Sequence, residues 1–114
     1  MNVSAESYGH AVILNLKGEF TEDALAVIQQ AVDHHLLSKD HVIDLVFNME
    51  AVPFVDSAAL EYLLTLQERL AERLGQVKLV KCDENVLKIL EVTRLDTSFE
   101  LFKDNVEAVK AIAP

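Results

Sequence analysis

The chain is poor in residues that break or cross-link regular structure: its 114 residues include three glycines, two prolines, one cysteine and no tryptophan. So little Gly and Pro leaves no material for a flexible linker or low-complexity tract, and no shift in composition marks a domain boundary. The lone Cys82 excludes an intrachain disulfide and fits a reducing compartment. Long apolar runs are missing too. Val42 to Phe47, interrupted by Asp44, falls far short of the roughly 20 residues that a membrane span requires. Met1 to Gly9 holds Glu6 but no Lys or Arg, so it lacks the basic start and the apolar stretch of a secretory signal, which points to a cytoplasmic address. Positive charge is scarce: ten Lys and Arg against nineteen Asp and Glu give a net charge of -9. The ten are scattered instead of striped, which argues against direct contact with nucleic acid or anionic lipid. Acidity of this size favours solubility and can steer encounters with a basic protein surface.

Signatures of metal and catalytic chemistry are also lacking. Of His10, His34, His35 and His41, only His34 and His35 are close, and adjacent residues on a helix point in different directions. No H-E-x-x-H or C-x-x-C pattern occurs, so no metal and no cofactor is expected. There is no G-x-S-x-G elbow, P-loop or dinucleotide fingerprint, which argues against an enzyme.

What the chain does have is a hydrophobic content of 51%, enough for one buried core. One domain over residues 1–114 is the expectation. His10 to Lys17 reads as a strand closed by Gly18, with a weaker strand at Asn2 to Tyr8 before it. Thr21 is placed to cap a helix whose first turn holds Glu22 and Asp23, and Ala24, Leu25, Ile28, Val32 and Leu36 form its apolar face. His41 to Phe47 is a nearly unbroken apolar strand of the kind covered on both faces. Leu60, Leu63, Leu64, Leu70, Ala71 and Leu74 follow the 3.6-residue period of a second helix, and Gly75 marks its stop. Val77 to Cys82 is a further strand, Asp83 a cap for a short helix carrying Val86, Leu87, Ile89, Leu90 and Val92, and Phe99 to Phe102 a last short strand. Asp104 and Glu107 have capping-box spacing ahead of Val106, Val109 and Ile112, which predicts a terminal helix. Strands alternating with helices imply an α/β fold with crossover connections, and functional loops in such folds lie beyond the carboxyl ends of the strands.

The segment after Phe47 is therefore the place to look for a site. In Asn48 to Leu64, Pro53 biases Val52 towards extended backbone, Phe54 and Val55 can anchor the loop in the core, and Asp56 and Ser57 are both preferred N-cap residues. A hydroxyl and a carboxylate thus stand at a helix start. Read from the residues alone, one of them caps the helix and nothing more.

A resemblance adds to this reading. VILNLKGEF at Val12 to Phe20, VIDLVFNMEAVPFVDSAALEYLL at Val42 to Leu64 and VKLVKC at Val77 to Cys82 occur in the order of a STAS domain, and the likeness spans nearly the whole chain. Phe54-Val55-Asp56-Ser57 followed by Leu60 resembles the aspartate-serine phosphorylation loop of that family. The resemblance implies a mostly parallel, mixed sheet of four or five strands with about four helices. It also implies an anti-sigma factor antagonist that binds a kinase-type anti-sigma factor, is phosphorylated by it on the serine after the aspartate, and is reset by a serine phosphatase. By that correspondence Ser57 is the phosphorylation site, and Asp56, Ser57, Ala58 and Glu61 are the partner-binding residues. A phosphate there adds about -1.5 to -2 charge beside Asp56, which weakens partner binding, while the helix N-terminus itself tolerates an anion.

Two positions depart from the family pattern: Ala58 and Ala59 stand where a second Ser or Thr and a Gly are usual, and Glu61 adds a negative charge one turn from Ser57. Alanine fills space that glycine leaves open. Some members of the family serve instead as subunits of transport complexes or sensory scaffolds without a phosphorylation cycle, which is the alternative reading.

Overall fold

The computed structural model describes residues 1–38 and 44–103. Strand β1 (Asn2–Tyr8) turns into β2 (Ala11–Lys17) through a two-residue loop, where Gly9 supplies the positive φ of 57° that such a hairpin needs. A 3₁₀ turn (Glu22–Ala24) leads into helix α1 (Leu25–Ser38), followed by β3 (Asp44–Ala51), α2 (Ser57–Ala71), β4 (Val77–Val80), α3 (Glu84–Val92) and β5 (Glu100–Phe102). The strands lie in the order β1-β2-β3-β4-β5, the first pair antiparallel and the others parallel, giving the mixed, mostly parallel sheet of an α/β domain.

Alternation along the strands decides which side chains meet the helices. Val12, Leu14 and Leu16 of β2, Leu45, Phe47 and Met49 of β3, and Val77 and Leu79 of β4 face one side. There they pack against Ile28 and Val32 of α1, Leu63 and Leu66 of α2, and Val86 and Leu90 of α3. On the other side of the sheet, Ile13, Val46 and Val80 form a smaller cluster against Phe102. The central strands are apolar on both faces, as the unbroken run in the sequence predicts.

That second face also buries an ion pair. The Nζ of Lys78 lies 3.4 Å from the Asp44 carboxylate, 4.0 Å from that of Glu100 and 5.6 Å from the centre of the Phe102 ring. The other oxygen of Asp44 accepts the Gln76 N–H at 2.8 Å, which fixes the entry to β4. In the sequence, Lys78 reads as an unremarkable strand residue; its burial comes from strand order, which sets β4 between β3 and β5.

Several expectations need correction. Strand β3 extends past Phe47 to Ala51, because Asn48, which breaks the apolar run, is satisfied by the Asn15 side chain of β2 at 2.8 Å. Helix α2 buries Ala59, Leu60, Leu63, Leu66 and Leu70; Leu64 is only half-buried, and Ala71 and Leu74 are exposed. The buried stripe runs in steps of four, three and four from Ala59, and Leu64 sits on its flank. Helix α2 also ends at Ala71. The Gly75 N–H bonds to the Leu70 carbonyl and the Leu74 N–H to that of Ala71, so Leu74, and not Gly75, takes the left-handed position at φ 61°. Helix α3 ends in the same way with Arg94 at φ 60°, and it exposes Leu87 and Val92. Three helices are described, against about four expected; the helix predicted after Asp104 and the first residues of the strand predicted from His41 lie outside the described residues.

Candidate functional site

Helix α2 begins where the chain leaves the carboxyl end of β3. Met49 accepts the Val52 N–H, Val52 is buried, and the chain then runs beside the segment that follows β2. Phe20 donates its N–H to Phe54 at 2.9 Å and accepts that of Asp56 at 3.2 Å, an isolated parallel bridge centred on Val55. Phe20 and Val55 are both buried by this pairing. Phe54 is not: extended backbone turns neighbouring side chains to opposite sides, so Val55 anchors the loop and Phe54 is left 44% exposed. The expectation that both residues reach the core holds for Val55 alone.

Asp56 is the N-cap of α2, and both oxygens of its carboxylate are engaged. Oδ1 accepts the Ala59 N–H at 2.9 Å, which satisfies one of the open donors of the first helical turn. Oδ2 accepts the Glu22 N–H, also at 2.9 Å, from the 3₁₀ turn ahead of α1. The sequence assigns that turn to a Thr21 cap, yet the Thr21 side chain makes no capping bond. Asp56 does the work from 34 positions away and ties the starts of two helices together. No pattern in the sequence signals this, because the pairing of Phe20 with Val55 creates it.

Ser57 is the first residue of α2 and is exposed. The capping role falls to Asp56, so the Ser57 hydroxyl stands on a helix start held by backbone bonds on both sides. Ala58 is half-buried, Ala59 fully buried and Glu61 exposed. Ala58 and Glu61 open onto a cleft of about 310 Å³ between α1 and α2, whose other lining residues are Leu25, Gln29, Tyr62 and Thr65. The buried Tyr62 hydroxyl finds no hydrogen-bond partner, and burial together with the nearby Asp33 pushes its pKa up to about 12. On the other side of the loop, Phe54 borders an open, mainly apolar groove of about 410 Å³ with Asn85, Lys88, Ile89, Val92 and Thr93. The sequence reading missed this groove; the exposed Val92, assigned there to the apolar face of α3, was its one available sign.

The remaining candidates are not drawn into the site. His34 and His35 stack edge to face with ring centres 5.2 Å apart, and His41 lies outside the described residues. Among the described residues, no three His, Cys, Asp or Glu side chains are grouped to hold a metal ion. Cys82 is half-buried against the core, and burial, with Asp83 beside it, pushes its thiol up to about 11, so the thiolate is scarce at neutral pH. No helix among the described residues is long and apolar enough to cross a membrane.

Comparison with known proteins gives a consistent result. Residues 2–108 match the model of the STAS domain. No curated protein matches the sequence. Among solved structures, a Thermotoga maritima protein described as an anti-sigma factor antagonist superposes with a TM-score of 0.85 at 20% identity, covering 95% of this chain and 92% of the other. The unphosphorylated form of the anti-sigma factor antagonist SpoIIAA gives 0.81 at 20% identity, with 99% and 100% covered. Its phosphorylated form from Bacillus gives 0.75 at 18%, with 98% and 100% covered. A sulfate transporter family protein from Wolinella succinogenes gives 0.73 at 15%, with 89% and 83% covered.

Proposed function

The chain belongs to the STAS domain family, and from that footing we propose that it is a regulatory protein of the anti-sigma factor antagonist type, not an enzyme. In this reading it binds a kinase-type anti-sigma factor, and phosphorylation of Ser57 releases it. The observation that carries the reading is the division of labour at the start of α2. Asp56 spends both carboxylate oxygens on backbone N–H groups, which leaves Ser57 exposed, uninvolved in capping and held in place. A hydroxyl presented this way is available to a kinase without unfolding the helix.

The same geometry explains how a phosphate would act on the interface and spare the fold. It would stand at a helix N-terminus, where dipole and N–H groups favour anions, and would add about -1.5 to -2 charge to a surface already carrying Asp56, Glu22 and Glu61. An acidic or apolar partner surface is then repelled, while the backbone bonds beneath stay intact. Asp56, Ser57, Ala58 and Glu61 are the proposed contact residues, with the exposed Phe54 beside them. A serine phosphatase would reverse the change. A cytoplasmic setting suits such a partner.

One observation favours the second reading, a STAS subunit of a transport complex or scaffold without a switch. Ala59 is fully buried and Ala58 half-buried, so the methyl groups that replace the usual glycine and hydroxyl are built into the packing. The experiment that separates the readings mixes the protein with the kinase-like protein encoded nearest to it and ATP, then locates phosphate by mass spectrometry. The switch predicts phosphate on Ser57, undiminished binding for Ser57→Ala and weaker binding for Ser57→Asp, where 1.4 kcal/mol corresponds to about tenfold in affinity. Phosphate elsewhere, or equal affinity for all three proteins, refutes the switch and leaves the scaffold subunit.

A further inference from the structure

The bond that reaches from Asp56 to the start of α1 joins two acidic segments. Glu22 and Asp23 are both exposed in the 3₁₀ turn, and Asp56 faces that turn from beside the exposed Ser57, with its Oδ2 2.9 Å from the Glu22 nitrogen. Three carboxylates are thus gathered against their mutual repulsion. Among the described residues no salt bridge reaches any of the three.

The two bonds of Asp56 differ in what backs them. The one to Ala59 lies within a single helical turn, which the Leu60 N–H also closes onto the Asp56 carbonyl at 3.1 Å. The one to Glu22 spans 34 positions, and Thr21 supplies no side-chain cap in its place. On either side of it the backbone is held independently. Phe20 pairs with Phe54 and Asp56, and the Ala24 N–H bonds to the Thr21 carbonyl at 2.9 Å. The Glu22 bond can therefore open while its neighbours stay closed.

We propose that Glu22 and Asp23 belong to the switch: negative charge on Ser57 loosens the bond between Asp56 and the Glu22 N–H, and the acidic turn carries that response to α1. The inference rests on the phosphorylation reading above for the source of the charge and adds residues that respond to it. A phosphate brings about -1.5 to -2 charge next to Asp56. The N–H groups and dipole of α2 favour an anion at its own start, so the repulsion falls on the turn. Leu25 follows the turn directly and lines the cleft between α1 and α2 with Ala58 and Glu61. A partner seated across both helices then loses the fit of one wall as well as meeting added charge. Glu22 and Asp23 act through Asp56, as positioning residues.

Amide hydrogen exchange read residue by residue by NMR tests this on the whole chain. Ser57→Glu and Ser57→Gln differ in charge and hardly in shape. The quantity measured is the exchange rate of the Glu22 amide divided by that of Ala59, which shares the same carboxylate and so corrects for the added potential. At low salt the ratio should be about two- to fivefold higher for Ser57→Glu than for Ser57→Gln, the range expected of exposed charge pairs. At 1 M salt, where the Debye length is about 3 Å, the difference should shrink. With Glu22→Gln and Asp23→Asn added it should disappear, a rescue that a purely structural role for the turn would not give. The Glu22 amide proton shift provides a second reading, moving towards its unbonded value in Ser57→Glu alone. Equal ratios for the two Ser57 variants overturn the inference, as does opening at Ala59 in place of Glu22 or a difference that survives neutralising the turn. None of these measurements needs a kinase. A chain that gains no phosphate on Ser57 in the assay above therefore refutes the switch itself, separately from this coupling.

Discussion

Asp56 offers the sharpest test of how the candidate site is held. Asp56→Ala removes two hydrogen bonds at once, the cap on Ala59 and the bond to Glu22 that reaches across to the start of α1. Loss of an N-cap carboxylate costs about 1 kcal/mol. The second bond has a charged acceptor but lies at an exposed site, so its loss adds about 1 kcal/mol. A total of about 2 kcal/mol corresponds to a fall of roughly 10 °C in Tm for a domain near this size. Asp56→Asn separates the two bonds, because an amide has one acceptor oxygen and must turn its NH2 towards one of the two donors; it should lose about half as much. Urea unfolding followed by circular dichroism gives both values, and amide hydrogen exchange at Glu22 and Ala59 shows which bond the asparagine keeps. A loss under about 0.5 kcal/mol for Asp56→Ala, within the range of ordinary surface substitutions, refutes the view that this carboxylate ties the two helix starts together. Equal losses for alanine and asparagine refute the two-bond account.

Other outcomes follow from the packing. Lys78→Met should destabilise the fold by about 3 kcal/mol or more in urea unfolding, since it leaves the Asp44 carboxylate buried without its cation; a neutral result would mean that water reaches the pair. Leu63→Ala and Leu66→Ala should each cost about 2 to 5 kcal/mol, whereas truncating the exposed Leu74 should cost almost nothing. Leu74→Gly should raise stability by about 1 kcal/mol, because glycine takes the left-handed position after α2 without a side-chain penalty; a lower urea midpoint would contradict the cap geometry. Tyr62→Phe removes a buried hydroxyl that has no partner and should leave stability equal or up to about 1 kcal/mol higher; a marked loss would reveal a hydrogen bond at that hydroxyl.

Periodicity and punctuation were enough to read most of the architecture. The strands expected at His10 to Lys17 and Val77 to Cys82, found at Ala11–Lys17 and Val77–Val80, the cap at Asp83 and a start of α2 at Asp56 or Ser57 all follow from local chemistry: alternation, apolar spacing and short polar side chains before helices. Such signals survive in a single sequence because each depends on residues within about one turn of one another. The STAS domain could also be recognised from its segments in order, and Ser57 could be placed at a helix start from Pro53, Asp56 and the leucines that follow.

What the sequence determined by itself, then, was the order of elements, the fold class and the position of the serine. The tertiary structure decided the rest, wherever a residue's role depends on a partner far away in the chain. Asp56 serves Glu22 as well as its own helix because Phe20 and Val55 pair. Lys78 is buried because strand order sets it against Asp44 and Glu100. Leu66 is core and Leu64 only flank because the angle at which α2 meets the sheet chooses among neighbouring leucines of equal hydrophobicity. Local sequence fixes which backbone conformation a segment prefers, but burial, pairing and the sharing of one carboxylate between two helices are properties of the packed chain.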